Sequence, residues 1–72
     1  MAVLNSLKEI RNERNLQQYD LAVAIGSSNR TISRIERGDR NVSVEYALRL
    51  ARYLNLSVEQ IFSLDDDEIE SE

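Results

Sequence analysis

Gln18–Gly38, QYDLAVAIGSSNRTISRIERG, is the stretch whose reading decides the fold. It reads as two short helices joined by one tight turn. The first spans 18–25 and carries a small residue, Ala22, inside it. Gly26 follows at the bend, where a residue without Cβ adopts left-handed backbone with least strain. The second helix starts after Ser28, a good N-cap, and stops at Gly38. Its Ile32 and Ile35 point inward, and Asn29, Arg30, Ser33, Arg34 and Arg37 form its outward face. The chain holds two glycines, each just past an expected helix, and this strengthens both boundaries.

Outside this stretch the apolar residues also recur at helical spacing, with no strand-like alternation of useful length. Helix one is expected over 4–15, with Leu4, Leu7 and Ile10 inward. Ser6 and Glu9 have capping-box spacing, which offers Ser6 as a later start. Leu16 and Leu21 are placed as a hydrophobic staple around a cap at Gln17. Residues 39–42 form a polar loop. Ser43 caps helix four over 44–54, whose apolar residues fall on two sides: Val44, Ala47, Leu48, Ala51 and Leu54 on one, Tyr46, Leu50 and Tyr53 on the other. A helix apolar on two sides is usually covered on two sides. Helix five is short, over 58–63, with a second capping box (Ser57, Gln60) and a second staple (Leu56, Ile61). The expected fold class is therefore all-α, a compact five-helix domain over 1–64, followed by an acidic tail, 65–72, expected to be disordered.

A chain of 72 residues has room for one domain and buries only a small core. The sequence has neither cysteine nor histidine. Disulfides, thiolate or imidazole zinc sites, and histidine-based catalysis are thereby excluded. Neither a cofactor nor a metal is expected. Lys8, the one lysine, falls on a solvated face, so an enzyme is not expected either. Helix packing and dimerisation remain as sources of stability. No signal peptide h-region or membrane span is visible, which leads to the expectation of a soluble, cytoplasmic protein with no membrane partner and no small-molecule ligand.

The formal net charge is −4, and its distribution matters more than its sum. Asp65, Asp66, Asp67, Glu68, Glu70 and Glu72 crowd the tail, while every Lys and Arg lies between Lys8 and Arg52. Residues 1–64 thus hold nine basic against seven acidic side chains, a net of +2. Arg30, Arg34, Arg37 and Arg40 lie within eleven residues. Salt screens fields beyond about 8 Å, so this local cluster decides what the second helix of the pair can contact.

The chain resembles the five-helix DNA-binding domains of Cro and the lambdoid phage repressors, the XRE-type regulators. The resemblance covers roughly 4–64. It is carried by Gln18, Leu21, Ala22, Gly26, Ser28, Thr31, Ile32, Ser33, Ile35, Glu36 and Gly38, together with LARYLNLSVEQIF at 50–62. It implies a helix-turn-helix formed by helices two and three, double-stranded DNA as partner, and helix three as the element entering the major groove. It further implies an ion pair between Arg11 and Glu36 holding helix one to helix three. Two positions depart from the usual pattern. Ser27 stands where a small apolar residue is commoner, and Tyr19 where an acid is. Asn29–Arg30 also differs from the pair many relatives carry, so no target sequence transfers.

On this basis Asn29, Arg30, Ser33 and Arg34 are the expected base contacts, since arginine pairs bidentately with guanine and asparagine with adenine. Gln18, Tyr19, Ser28, Thr31, Arg37, Arg40, Asn41 and Ser43 are the expected phosphate contacts, and the resemblance implies that Gln18 also braces the recognition helix. Ser28 and Ser43 also have a capping role, Thr31 a packing role, and Arg37 a role against the helix dipole. Arg49 and Arg52 are read as solvated. Leu54, Leu56, Val58, Ile61, Phe62 and Leu64 serve either the core or a two-fold interface, and the resemblance implies that part of the cluster forms a homodimer. The leading expectation is a sequence-specific DNA-binding transcriptional regulator of prokaryotic or phage type, a homodimeric repressor on a palindromic operator, with polymerase as a further partner if it activates. A second reading stays open: an antitoxin-like module that binds a toxin and also regulates its own promoter.

Overall fold

The computed structural model describes residues 3–38 and 42–64. In chain order the elements are β1 (Val3–Asn5), α1 (Leu7–Glu13), α2 (Gln18–Ile25), α3 (Asn29–Arg37), α4 (Val44–Leu54), α5 (Val58–Ile61) and β2 (Phe62–Leu64). The protein is mostly helical with the five expected helices. Arg40, Asn41 and the acidic tail lie outside the described residues.

Local chemistry sets most boundaries. The Ser28, Ser43 and Ser57 hydroxyls each accept the backbone N–H three residues on, from Thr31, Tyr46 and Gln60. Each satisfies a donor that the first helical turn leaves unpaired. Gln60 returns the bond to the Ser57 N–H at 2.8 Å, and Asp20 does the same for Gln17. Gly26 and Gly38 end α2 and α3 at φ +71° and +75°. Asn15 (φ 58°) and Asn55 (φ 59°) take the same left-handed turn after α1 and α4. Asparagine is one of the few residues with a side chain that visits this region routinely.

The ends of the domain correct the expected start of helix one and end of helix five, and add a short two-stranded pairing to the five helices. Residues 3–5 leave the helix expected from Leu4 and pair antiparallel with 62–64, Leu4 facing Ser63. The Ser6 N–H donates to the Ile61 carbonyl at 2.9 Å, which extends this closure by one bond. Helix α1 consequently starts at Leu7, and Leu4 is half exposed instead of lining the core. The Ser6 side chain makes no cap; the Asn5 carboxamide oxygen takes the Leu7 N–H instead, at 3.1 Å. Helix α5 likewise stops at Ile61, because Phe62 turns extended to enter the strand.

The core is one cluster. Leu7, Leu21, Ile32, Leu50, Leu54 and Ile61 are its largest fully buried members, and Ala22, Ile25, Ile35, Ala47, Ala51 and Phe62 complete it. Burying an aliphatic side chain of this size is worth about 1.5–3 kcal/mol. Helix α4 is covered on one side only. Leu50 joins Ala47, Ala51 and Leu54 inside, while Val44 and Leu48 face out at 75% and 56% exposure. This departs from the expected inward face. It follows from angular position: 47, 50, 51 and 54 share one arc of the 3.6-residue period, and 44 and 48 lie outside it. The cluster assigned to a two-fold interface divides as well. Leu54, Ile61 and Phe62 are spent in the chain's own core, Leu56 and Val58 are half-buried, and only Leu64 is well exposed.

Candidate nucleic-acid interface

Helix α3 presents two unlike faces. Ile32 and Ile35 are buried against the core, and Asn29 and Arg30 are exposed on the other side with Ser33 and Arg34 half-exposed beside them. Arg37 is exposed one turn beyond Ser33 and Arg34. At 100° per residue, 29, 30, 33, 34 and 37 fall within one arc of about 140°. This arc carries three guanidinium groups and no carboxylate. The helix's one acid, Glu36, lies just outside the edge of this arc beside Asn29, and its side chain is held almost out of solvent.

Glu36 is the centre of the brace behind that face. Arg11 donates to it with Nε at 2.7 Å and Nη2 at 3.3 Å, and Gln18 Nε2 adds a third bond at 3.1 Å. The Arg11 Nη1 donates to the Leu16 carbonyl at 3.2 Å, so the guanidinium also fixes the turn leading into α2. The side chains of Arg11 and Glu36 are 13% and 5% exposed. One carboxylate thereby joins α1, the start of α2 and the end of α3. Gln18, assigned to phosphate, sits half-buried with one amide hydrogen committed to this brace and its other hydrogen available.

The remaining assigned residues fall in distinct places. Tyr19 stands 66% exposed on the first turn of α2. An open hollow beside it is lined by Arg11, Gln17, Gln18, Tyr19 and Asn29, so the first residue of α3 and the N-terminus of α2 border one concavity. The Thr31 hydroxyl receives a bond from the Ser27 hydroxyl at 2.8 Å and lies 3.4 Å from that of Ser28, which ties it into the turn. Ser27, a departure from the usual apolar residue, thus has a definite role as a donor across the turn. Ser28 and Ser43 are exposed at their caps.

Two contributors escaped sequence reasoning. The Asn5 Nδ2 donates to the Ile35 carbonyl at 2.9 Å, tying β1 to the C-terminal end of α3. Gln17 borders the hollow; its adjacency to Gln18 was the available signal. No sequence pattern announces a bond across thirty residues such as that of Asn5. Among the described residues no three metal-ligating side chains gather, and no helix is long and apolar enough to cross a membrane.

Two helices meeting at a left-handed glycine, the second with a cationic outer face, define a helix-turn-helix. A helix-turn-helix family model matches residues 7–61, and the chain belongs to that family, in its XRE-type branch. It is 41% identical over 64 residues to an HTH-type transcriptional regulator of Methanocaldococcus jannaschii, covering 89% of this chain and 97% of the relative. A second such regulator, from Archaeoglobus fulgidus, is 36% identical over 63 residues, 88% of this chain and 89% of the relative. Among solved structures, the restriction-modification controller protein C.AhdI from Aeromonas hydrophila matches with TM-score 0.69 and 35% identity, over 75% of this chain and 82% of that one. A protein from Bacteroides fragilis to which DNA binding has been ascribed matches with TM-score 0.75 and 28% identity, over 85% and 98%. The protein is a transcriptional regulator with a helix-turn-helix DNA-binding domain.

Proposed function

We propose that the protein acts as a homodimer on a palindromic operator, with α3 in the major groove of each half-site, and represses by occluding polymerase. The cationic arc of α3, set opposite Ile32 and Ile35, carries this reading. In this docking mode the N-terminal residues of the recognition helix reach base edges. Asn29, Arg30, Ser33 and Arg34 therefore read sequence. Gln18, Tyr19, Ser28, Arg37 and Ser43 hold phosphates, with Arg40 and Asn41 continuing that role beyond α3. Thr31 contributes chiefly by ordering the turn, because its hydroxyl is already engaged.

Selection of bound duplexes from a random pool, at stated salt, tests the proposal. A palindrome with half-sites one turn apart, roughly 34 Å, is the expected product. Binding without sequence enrichment overturns specific regulation. Arg30→Ala is expected to cost about 1–3 kcal/mol on the selected site and to relax one base position. Gln18→Ala weakens all sequences alike.

A further inference from the structure

The core cluster leaves little of 54–64 to join two chains, and the outer face of α4 offers an alternative. Val44 and Leu48 are 75% and 56% exposed there, next to Glu45, Arg49 and Arg52. Leu48, Arg49 and Arg52 line a shallow open depression. Lone exposed apolar residues mean little, but two a turn apart on one helix, rimmed by charges, mark a contact surface.

We propose that this face is a two-fold interface with a second copy of the same chain, α4 packing antiparallel on α4. The order of charges selects the occupant. Glu45 lies about 4.5 Å before Leu48 along the axis and Arg52 about 6 Å after it, at 1.5 Å per residue. Reversing one helix about Leu48 brings Glu45 to nearly the height of Arg52 in the second copy, and the two-fold repeats the pair on the other side. Leu48 meets its own counterpart at the centre, and Val44 packs on the Arg52 stem opposite. Such a match of position i with j and j with i is what an isologous contact requires. A polyanion or acidic peptide would instead meet Glu45 inside its footprint. Arg49 stays at the rim, held by Glu45 of its own helix at 2.7 Å. No residue of α3 is used, so the cationic arc stays open. An eleven-residue helix supplies less area than the roughly 800 Å² per partner of a standard interface, so the dimer is a weak one in free solution.

This inference rests on the homodimer reading but is tested without DNA. Sedimentation velocity over a concentration series is run on the full chain and on Glu45→Arg, Arg52→Glu and Leu48→Glu, with circular dichroism to verify folding. All three sites are exposed, so the fold is expected to persist. Each variant alone is expected to dimerise at least about tenfold more weakly, since like charges then oppose across the two-fold. An equimolar mixture of Glu45→Arg and Arg52→Glu is expected to recover dimers, because the heterodimer restores both attractive pairs. Variants that dimerise like the wild type, or a mixture no stronger than its components, overturn the α4 surface while leaving the homodimer standing. A wild-type chain that stays monomeric throughout overturns this surface and the free-solution dimer together, with the duplex selection still separately decisive for DNA binding.

Discussion

Arg11→Ala is expected to destabilise the fold by about 3 kcal/mol. An exposed ion pair is worth at most about 1 kcal/mol, but this pair is nearly out of solvent, at 13% and 5% side-chain exposure. Removing one partner of a buried pair leaves an uncompensated charge and costs about 3–5 kcal/mol. The lower end applies because Gln18 still donates to Glu36 at 3.1 Å after the substitution. For 72 residues the whole stability is of order 4–11 kcal/mol. A loss of 3 is therefore a large share, and lowers Tm by roughly 12–24 °C at about 4–8 °C per kcal/mol. Urea unfolding followed by far-ultraviolet circular dichroism measures it; the chain has no tryptophan for fluorescence. The double substitution Arg11→Met with Glu36→Leu removes both charges and is expected to lie within about 1 kcal/mol of the wild type. An Arg11→Ala loss below about 1 kcal/mol, or a double variant as unstable as the single, refutes the reading of a buried, mutually dependent pair.

Asn5→Ala removes the bond to the Ile35 carbonyl and the cap on Leu7, and is expected to cost about 1–2 kcal/mol in the same unfolding assay. Gly26→Ala places a Cβ 3.7 Å from Arg49 Nη1, an ordinary contact, so its cost is the left-handed backbone alone, about 1–2 kcal/mol. Asn55, at φ 59°, gives the converse: Asn55→Gly is expected to be neutral or slightly stabilising by thermal melting, and Asn55→Ala to lose about 1 kcal/mol. If Arg37 holds a phosphate, Arg37→Ala reduces the slope of log affinity against log salt by about 1 with little change in sequence preference, as read by titrations at several salt concentrations.

The parts of this fold that announce themselves in the sequence are those decided within one turn of chain. Ser28, Ser43 and Ser57 start their helices because each hydroxyl meets an amide three residues on, and Gly26 and Gly38 end theirs because left-handed backbone favours glycine. The outward face of α3 was readable for a similar reason, since the positions of Ile32 and Ile35 determine which residues oppose them. What escaped depends on distant partners. Strands of three residues are too short for alternation to register, so Val3–Asn5 looked like the start of a helix until Phe62–Leu64 supplied a partner. Helix α4 carried apolar residues on both sides, and periodicity alone could not say that the covered arc would take Ala47, Ala51 and Leu54 from one side and Leu50 from the other, leaving Val44 and Leu48 open. The Gln18–Glu36 bond is likewise a tertiary fact: the local pattern marks Gln18 only as a helix-start residue, and its bracing role comes from the family resemblance.

Expected and unexpected contacts alike converge on α3 and bear on how it meets DNA. At its start, the hydroxyls of Ser27, Ser28 and Thr31 lie within hydrogen-bonding reach of one another. At its end, Asn5 takes the Ile35 carbonyl, while Arg11 and Gln18 hold Glu36. Between these, Ile32 and Ile35 anchor it to the core. The helix is thus held at both ends and along its back before any ligand arrives, so binding has side chains and not helix backbone to order. Ordering a rotamer-rich side chain costs about 0.5–1.5 kcal/mol, and fixing backbone about 1–2 kcal/mol per residue. A nine-residue helix that had to form on DNA would lose on the order of 10 kcal/mol, comparable to the whole affinity of a specific complex at about 10⁻⁸ M. The small sheet that closes the chain's ends and the buried carboxylate behind α3 therefore belong to recognition as much as to stability.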